Sequence, residues 1–142
     1  MFEYHGWITI HDSPGDDDET RLAVIVESLR HRIEAIDSPY LLDLRWMNGE
    51  AFVHLGGFSN HASPEIADFF RHVGSVAPGS YGLLHVRDDE DPRHGNEYEN
   101  GVRVLRMARG DRGAPVPVHP DHRGRSRVSA RTEAERKADT DP

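Results

Sequence analysis

Tyr40-Leu41-Leu42-Asp43-Leu44-Arg45-Trp46-Met47-Asn48-Gly49-Glu50-Ala51-Phe52-Val53-His54-Leu55-Gly56-Gly57-Phe58 is the stretch on which the fold turns. Two apolar runs, Tyr40–Met47 and Glu50–Phe58, flank Asn48-Gly49. That dipeptide accepts the positive φ angles of a type I′ turn, the strongest short-range hairpin signal. On the first arm Leu42, Leu44 and Trp46 share one face, and Leu41, Asp43, Arg45 and Met47 share the other. Trp46 therefore reads as core.

The sequence before the hairpin supplies a strand and a helix. Phe2, Tyr4, Ile8 and Ile10 share a parity, the pattern of a strand with one buried face. Gly6 interrupts that face and implies a bulge or a close-packed neighbour. Asp12-Ser13-Pro14-Gly15-Asp16-Asp17-Asp18 is turn material whose carboxylates suit the positive end of a helix dipole. Leu22, Ile25, Val26, Leu29, Ile33 and Ile36 follow at i, i+3, i+4 spacing and predict an amphipathic helix over 19–36. Asp37-Ser38-Pro39 ends it.

Beyond the hairpin, Ser63-Pro64-Glu65 combines a cap residue, a proline for the first helical position and an acid for the first turn. The stripe Ile66, Phe69, Phe70, Val73 and Val76 makes the second helix amphipathic, and Pro78-Gly79 breaks it. Tyr81–Arg87 reads as a strand, Asp88-Asp89-Glu90-Asp91 with Pro92 and Gly95 as a loop, and Tyr98–Arg109 as a last strand. The order β-α-β-β-α-β-β predicts an α+β domain with an antiparallel-rich sheet and two helices on one face. Its first six elements match a ferredoxin-like arrangement, with other strand orders open.

Composition divides the 142 residues near position 110. Residues 1–110 hold ten Arg against nineteen Asp or Glu and contain all eleven aromatic side chains. Residues 111–142 hold seven basic and six acidic residues, no aromatics, and only Val116, Val118 and Val128 as branched aliphatics. Such a segment cannot bury enough apolar surface to offset its ordering entropy. The expected organisation is a domain at 1–110 and a disordered polar tail at 111–142, with transient helix near 131–138.

Several function classes fall away. The formal charge of −8 argues against nucleic-acid binding. No apolar run approaches the roughly 20 residues of a membrane span, and the N-terminus lacks a signal-peptide pattern. A cytoplasmic location follows as an expectation. With no cysteine, thiolate metal sites and cysteine nucleophiles are excluded. Ten histidines raise a metal site, but they are scattered, His5 and His11 lying on one strand, no H-E-x-x-H arrangement occurs, and His119 and His122 lie in the tail. No metal or cofactor is expected. Neither a nucleophile elbow nor a phosphate-binding loop is present.

Three sets of side chains remain as candidate sites. His61, beside Asn60 and just before a helix, could act as a base, although loop residues of this kind more often bond the local backbone and cap the helix. Asn60, His61 and the Gly79-Ser80 turn could also line a pocket. Asp88, Asp89, Glu90 and Asp91 form a loop run that could present an acidic patch to a basic partner. Trp7 lies on the polar parity of the first strand with Glu3, His5, Thr9 and His11. It is either packed under other segments or an exposed binding anchor.

The opening Met1-Phe2-Glu3-Tyr4-His5-Gly6-Trp7-Ile8-Thr9-Ile10 resembles that of immunity protein 7 members of bacterial polymorphic toxin systems. So do Trp46-Met47-Asn48-Gly49, Gly57-Phe58-Ser59-Asn60-His61, Ala77-Pro78-Gly79-Ser80-Tyr81-Gly82-Leu83-Leu84, Val86-Arg87-Asp88-Asp89-Glu90 and Val104-Leu105-Arg106-Met107-Ala108-Arg109-Gly110. The likeness runs in order through 1–110, and the tail from Asp111 departs from the family's usual short acidic end. The resemblance implies a non-catalytic antitoxin that binds and neutralises a cognate toxin domain. The acidic balance suits a basic toxin such as a nuclease. A ferredoxin-like small-molecule-binding or regulatory domain is the second reading, and a small hydrolase using His61 the third.

Overall fold

A computed structural model describes residues 1–38, 40–91, 101–109 and 115–116. The elements run β1 (Phe2–Ile10), α1 (Glu19–Ile36), β2 (Leu41–Met47), β3 (Glu50–Ser59), α2 (Pro64–Val76), β4 (Tyr81–Asp88), β5 (Arg103–Met107) and β6 (Pro115–Val116). They form one sheet in the order β2-β3-β1-β4-β5-β6, with every neighbouring pair antiparallel. The segment β2-β3-β1-β4 is the ferredoxin-like order, and β5 extends it beyond β4. The class is α+β.

The local signals explain the elements. Asn48 (φ 52°) and Gly49 (φ 81°) both take the positive φ angles of the I′ turn. The turn sets the β2–β3 register, with Met47 opposite Glu50 and Leu44 opposite Val53. Asp18 caps α1: its Oδ1 accepts from the backbone N–H of Thr20 at 3.0 Å and Arg21 at 3.1 Å. At the other end Asp37 adopts the left-handed conformation that closes helices. Helix α2 starts with Ser63 as N-cap and Pro64 in its first turn, and the Ser63 hydroxyl donates to Glu65 Oε2 at 2.9 Å.

Both helices cover the same face of the sheet. Phe2, Tyr4, Ile8 and Ile10 of β1, Val53 and Leu55 of β3, and Leu84 and Val86 of β4 meet Leu22, Val26 and Leu29 of α1 and Ile66, Phe69, Phe70 and Val73 of α2 in one buried cluster. Each such side chain contributes on the order of 2 kcal/mol by leaving water. Gly6 has the close-packed neighbour its position implied: a Cβ there would stand 2.6 Å from the Leu83 carbonyl oxygen.

Two expectations need correction. Trp46 is 43% exposed, not core. It has the helix-facing parity, but it sits on the edge strand at the hairpin tip, one pair from the turn. The last strand begins at Arg103; Gly101 and Val102 are outside it, and Tyr98–Asn100 lie outside the described residues. Of the segment read as a disordered tail, only the β6 pair is described: Val116 pairs with Val104, and Pro115 with Leu105. The remainder, with His119 and His122, lies outside the described residues.

Candidate partner-binding surface

Among the described residues, the opposite face of the sheet carries no helix. The register places Asp43, His54, Trp7, Leu83 and Arg106 in one row across β2-β3-β1-β4-β5. Arg45, Phe52, Thr9 and Tyr81 form the next row, and Leu41, Gly56, His5, His85 and Val104 the row on the other side. Trp7 is therefore central, and at 38% exposure it is an open aromatic side chain. Its ring meets Tyr81 edge-on, with centroids 5.8 Å apart and planes at 84°. Tyr81 in turn stacks on His11 at 5.8 Å and 12°, and the Arg109 guanidinium lies 5.9 Å from the Tyr81 ring centroid.

Carboxylates gather at the His11 end of this face. His11 Nδ1 is 2.6 Å from Asp17 Oδ2, and its Nε2 is 3.2 Å from Glu50 Oε2, so the imidazole bridges the β1–α1 loop and the hairpin. Asp17 Oδ1 also accepts from the Asp12 backbone N–H at 2.9 Å. Asp12 is only 3% exposed. Its hydrogen bond to the Asp17 carboxyl, then its burial, raise its pKa above the usual carboxylate range. Burial opposes ionisation of Asp17, but the bonds from His11 and Asp12 outweigh it and hold Asp17 below that range. Asp16, Asp18 and Glu19 flank this arrangement and are exposed.

The acidic run at the other end is differently built. Asp89 is paired with the Met1 amine, whose hydrogen bond holds its carboxyl below the usual range. Glu90 faces His61 Nδ1 at 3.3 Å, and Asp88 Oδ1 accepts from the Glu90 backbone N–H at 3.1 Å. Asp91 was expected on the surface; it is 6% exposed and accepts from Arg103 Nη1 at 3.0 Å. A run of four acids is thus one inward ion pair and three locally engaged side chains, because the chain turns inward after Asp88 leaves the sheet.

The other expected pocket residues do not converge. Ser80 is buried at the start of β4; its Oγ accepts from the His11 N–H at 3.2 Å and donates to the His11 carbonyl at 3.4 Å. His61, whose side chain is 84% exposed, reaches Glu90 beyond the far end of β4. The strand separates them. Nor does His61 cap α2: the contact in its loop is the Ser59 hydroxyl donating to the His61 carbonyl at 2.6 Å. A cleft of about 300 Å³ does open near the start of α2, with Phe2, Val86, Asp88 and Arg103 in its wall. Among the described residues no group of three or more His, Asp or Glu side chains is placed to hold a metal ion.

Comparison with known protein families matches residues 1–118 to immunity protein 7. The chain belongs to the immunity protein 7 family. Comparisons with curated proteins and with solved structures returned no match. Immunity protein 7 is an immunity protein of polymorphic toxin systems, which places recognition of a toxin protein at the centre of its role. The match reaches past β5 and includes the β6 pair. Among the described residues of this immunity protein 7 chain, no helix is long and apolar enough to cross a membrane. What sequence reasoning missed is the joining of His11, Asp17, Glu50 and Tyr81 from four separate segments; the available signal was that His11 and Trp7 share the outward parity of β1.

Proposed function

We propose that this chain is a non-catalytic antitoxin that binds its cognate toxin domain one-to-one and covers the toxin's working surface in the cytoplasm of the producing cell. The observation that carries the reading is the immunity protein 7 match over 1–118. The charge of −8 supports a basic toxin, a nuclease being the natural case, since an acidic protein can occupy a surface built for phosphates and is attracted to it at long range. The small-molecule reading is weakened by the separation of Ser80 from His61. The hydrolase reading is weakened by the setting of His61: its side chain is exposed, its ring pairs with the Glu90 carboxylate, and the neighbouring Ser59 hydroxyl donates to its backbone carbonyl.

The test uses the toxin domain encoded beside this gene, expressed with and without the chain. Rescue of growth at a one-to-one ratio is expected, together with an association rate that falls as salt screens charges beyond about 8 Å. His61→Ala is expected to protect as well as the parent. Protection at strongly substoichiometric amounts, or its loss in a folded His61→Ala that still binds, would replace occlusion by catalysis.

A further inference from the structure

We propose that the sheet face opposite α1 and α2 is the toxin-docking surface, with Trp7 and Tyr81 as its apolar anchor and the carboxylates at the His11 end as the contact for the toxin's basic side chains. This rests on the immunity reading above and adds to it where the toxin sits.

Size, anchoring and charge each support the assignment. Five strands at about 4.8 Å spacing and eight residues at about 3.3 Å rise present a face of roughly 600 Å² in projection. That approaches the roughly 800 Å² that each partner contributes to a stable complex. Trp7 lies at its centre, where binding energy concentrates, and Tyr81 holds its ring from one edge. An aromatic pair of this kind buries much area at little entropic cost because it is already ordered.

The charge of the face is uneven. On β2 and toward the Asp88 end the ions are paired among themselves: Arg45 Nε donates to Asp43 at 2.6 Å, and Glu3 lies 4.0 Å from Arg87 and 3.0 Å from His5. The surplus is at the His11 end, where Asp16 and Glu19 are exposed, Asp18 caps α1 from the surface, and Glu50, reaching His11 Nε2, keeps its side chain largely in water around the partly buried His11–Asp17 pair. A basic domain laid on Trp7 is therefore oriented by that end. The Asp88–Asp91 end is a weaker competitor, because its carboxylates are engaged by Met1, His61 and Arg103.

The probe is the catalytically silenced toxin domain encoded by the adjacent gene, with binding kinetics measured on the full chain and folding verified by circular dichroism. Trp7→Ala is expected to weaken binding about 30-fold or more, chiefly through faster dissociation. Asp16→Lys with Glu50→Lys, both exposed, is expected to slow association about tenfold at low salt, with the difference vanishing at high salt. Glu90→Lys at the opposite end is expected to stay within about threefold of the parent. Should Trp7→Ala fail to fold, the two exposed charge reversals decide the question. Slowing by Glu90→Lys with no effect of Asp16→Lys and Glu50→Lys would overturn the assignment and move docking to the other end. A free chain that sediments as a dimer, dissociated by Trp7→Ala, would give the face to a second copy instead. An unaltered chain that does not bind the toxin domain would overturn the immunity reading and this assignment together, whereas binding indifferent to all face variants would overturn this one alone.

Discussion

The two acidic loops at opposite ends of the sheet look alike as text and differ as structures. Asp12–Asp18 is organised around one imidazole, with Asp12 buried beneath Asp17, Asp18 capping α1 and Asp16 left in water. Asp88–Asp91 is a closing device that ties the end of β4 to the amino group of Met1, to the loop before α2, and, through Asp91, to β5. A carboxylate's neighbours in space, which contiguity in the chain does not give, decide whether its charge is offered to a partner or consumed by the fold.

The sharpest way to break the comparison is to displace the first loop. Ser13 passes so close to Gly79 that a Cβ there would lie 2.0 Å from the Ser13 carbonyl oxygen. Gly79→Ala is expected to cost about 3 kcal/mol, or roughly 12 °C in thermal midpoint. A shift under 3 °C would mean that the loop is only loosely seated. Next comes Asp91→Ala, which leaves the Arg103 guanidinium partly buried without its carboxylate, while its Nε already lacks a partner. A loss of about 2 kcal/mol, near 8 °C, is expected, with Asp91→Asn closer to the parent. No loss would return Asp91 to the category of presented charge.

A smaller effect separates the loops by pH. Asp12 has a raised pKa in the fold, so its ionisation is a penalty present at neutral pH and relieved as pH falls toward its unfolded value of 3.8. Asp17 and Asp89 have lowered values, so their stabilisation is present above 3.8 and lost as pH falls through their folded values. Asp12→Asn keeps a donor toward Asp17 without the charge. Its thermal midpoint should exceed that of the parent at pH 7 and converge on it near pH 4; a gap that widens on acidification would reverse the assignment. The smallest effect belongs to His61→Ala, expected within about 2 °C of the parent because an exposed ion pair contributes little.

Periodicity and turn chemistry were legible in the residues. The stripe from Leu22 through Ile36, with the carboxylates ahead of it, predicts α1 at its observed bounds, and Asn48-Gly49 predicts the hairpin. Trp46 was misread because parity records which face a side chain points toward but is silent on whether a helix lies over it there. The site was less legible than the fold. Trp7 on the outward parity was visible, but the His11–Asp17–Glu50–Tyr81 grouping depends on β3 and β4 flanking β1, a long-range pairing that no local pattern encodes. Asp91 was misplaced for the same reason, since its partner Arg103 is on another strand.

Strand β1 is the first to be synthesised and lies between β3 and β4. It stays unsatisfied along one edge until β3 emerges and along the other until β4 does. At about 5–20 residues per second, roughly 4–16 s of translation separate Ile10 from Asp88. Through that interval the ribosome carries a nascent chain whose β1, paired on both edges in the finished sheet, has no sheet to join. The sheet therefore closes around β1 only after β4 has left the ribosome, so the order of strands in space, not their order in the chain, sets when the fold can be finished.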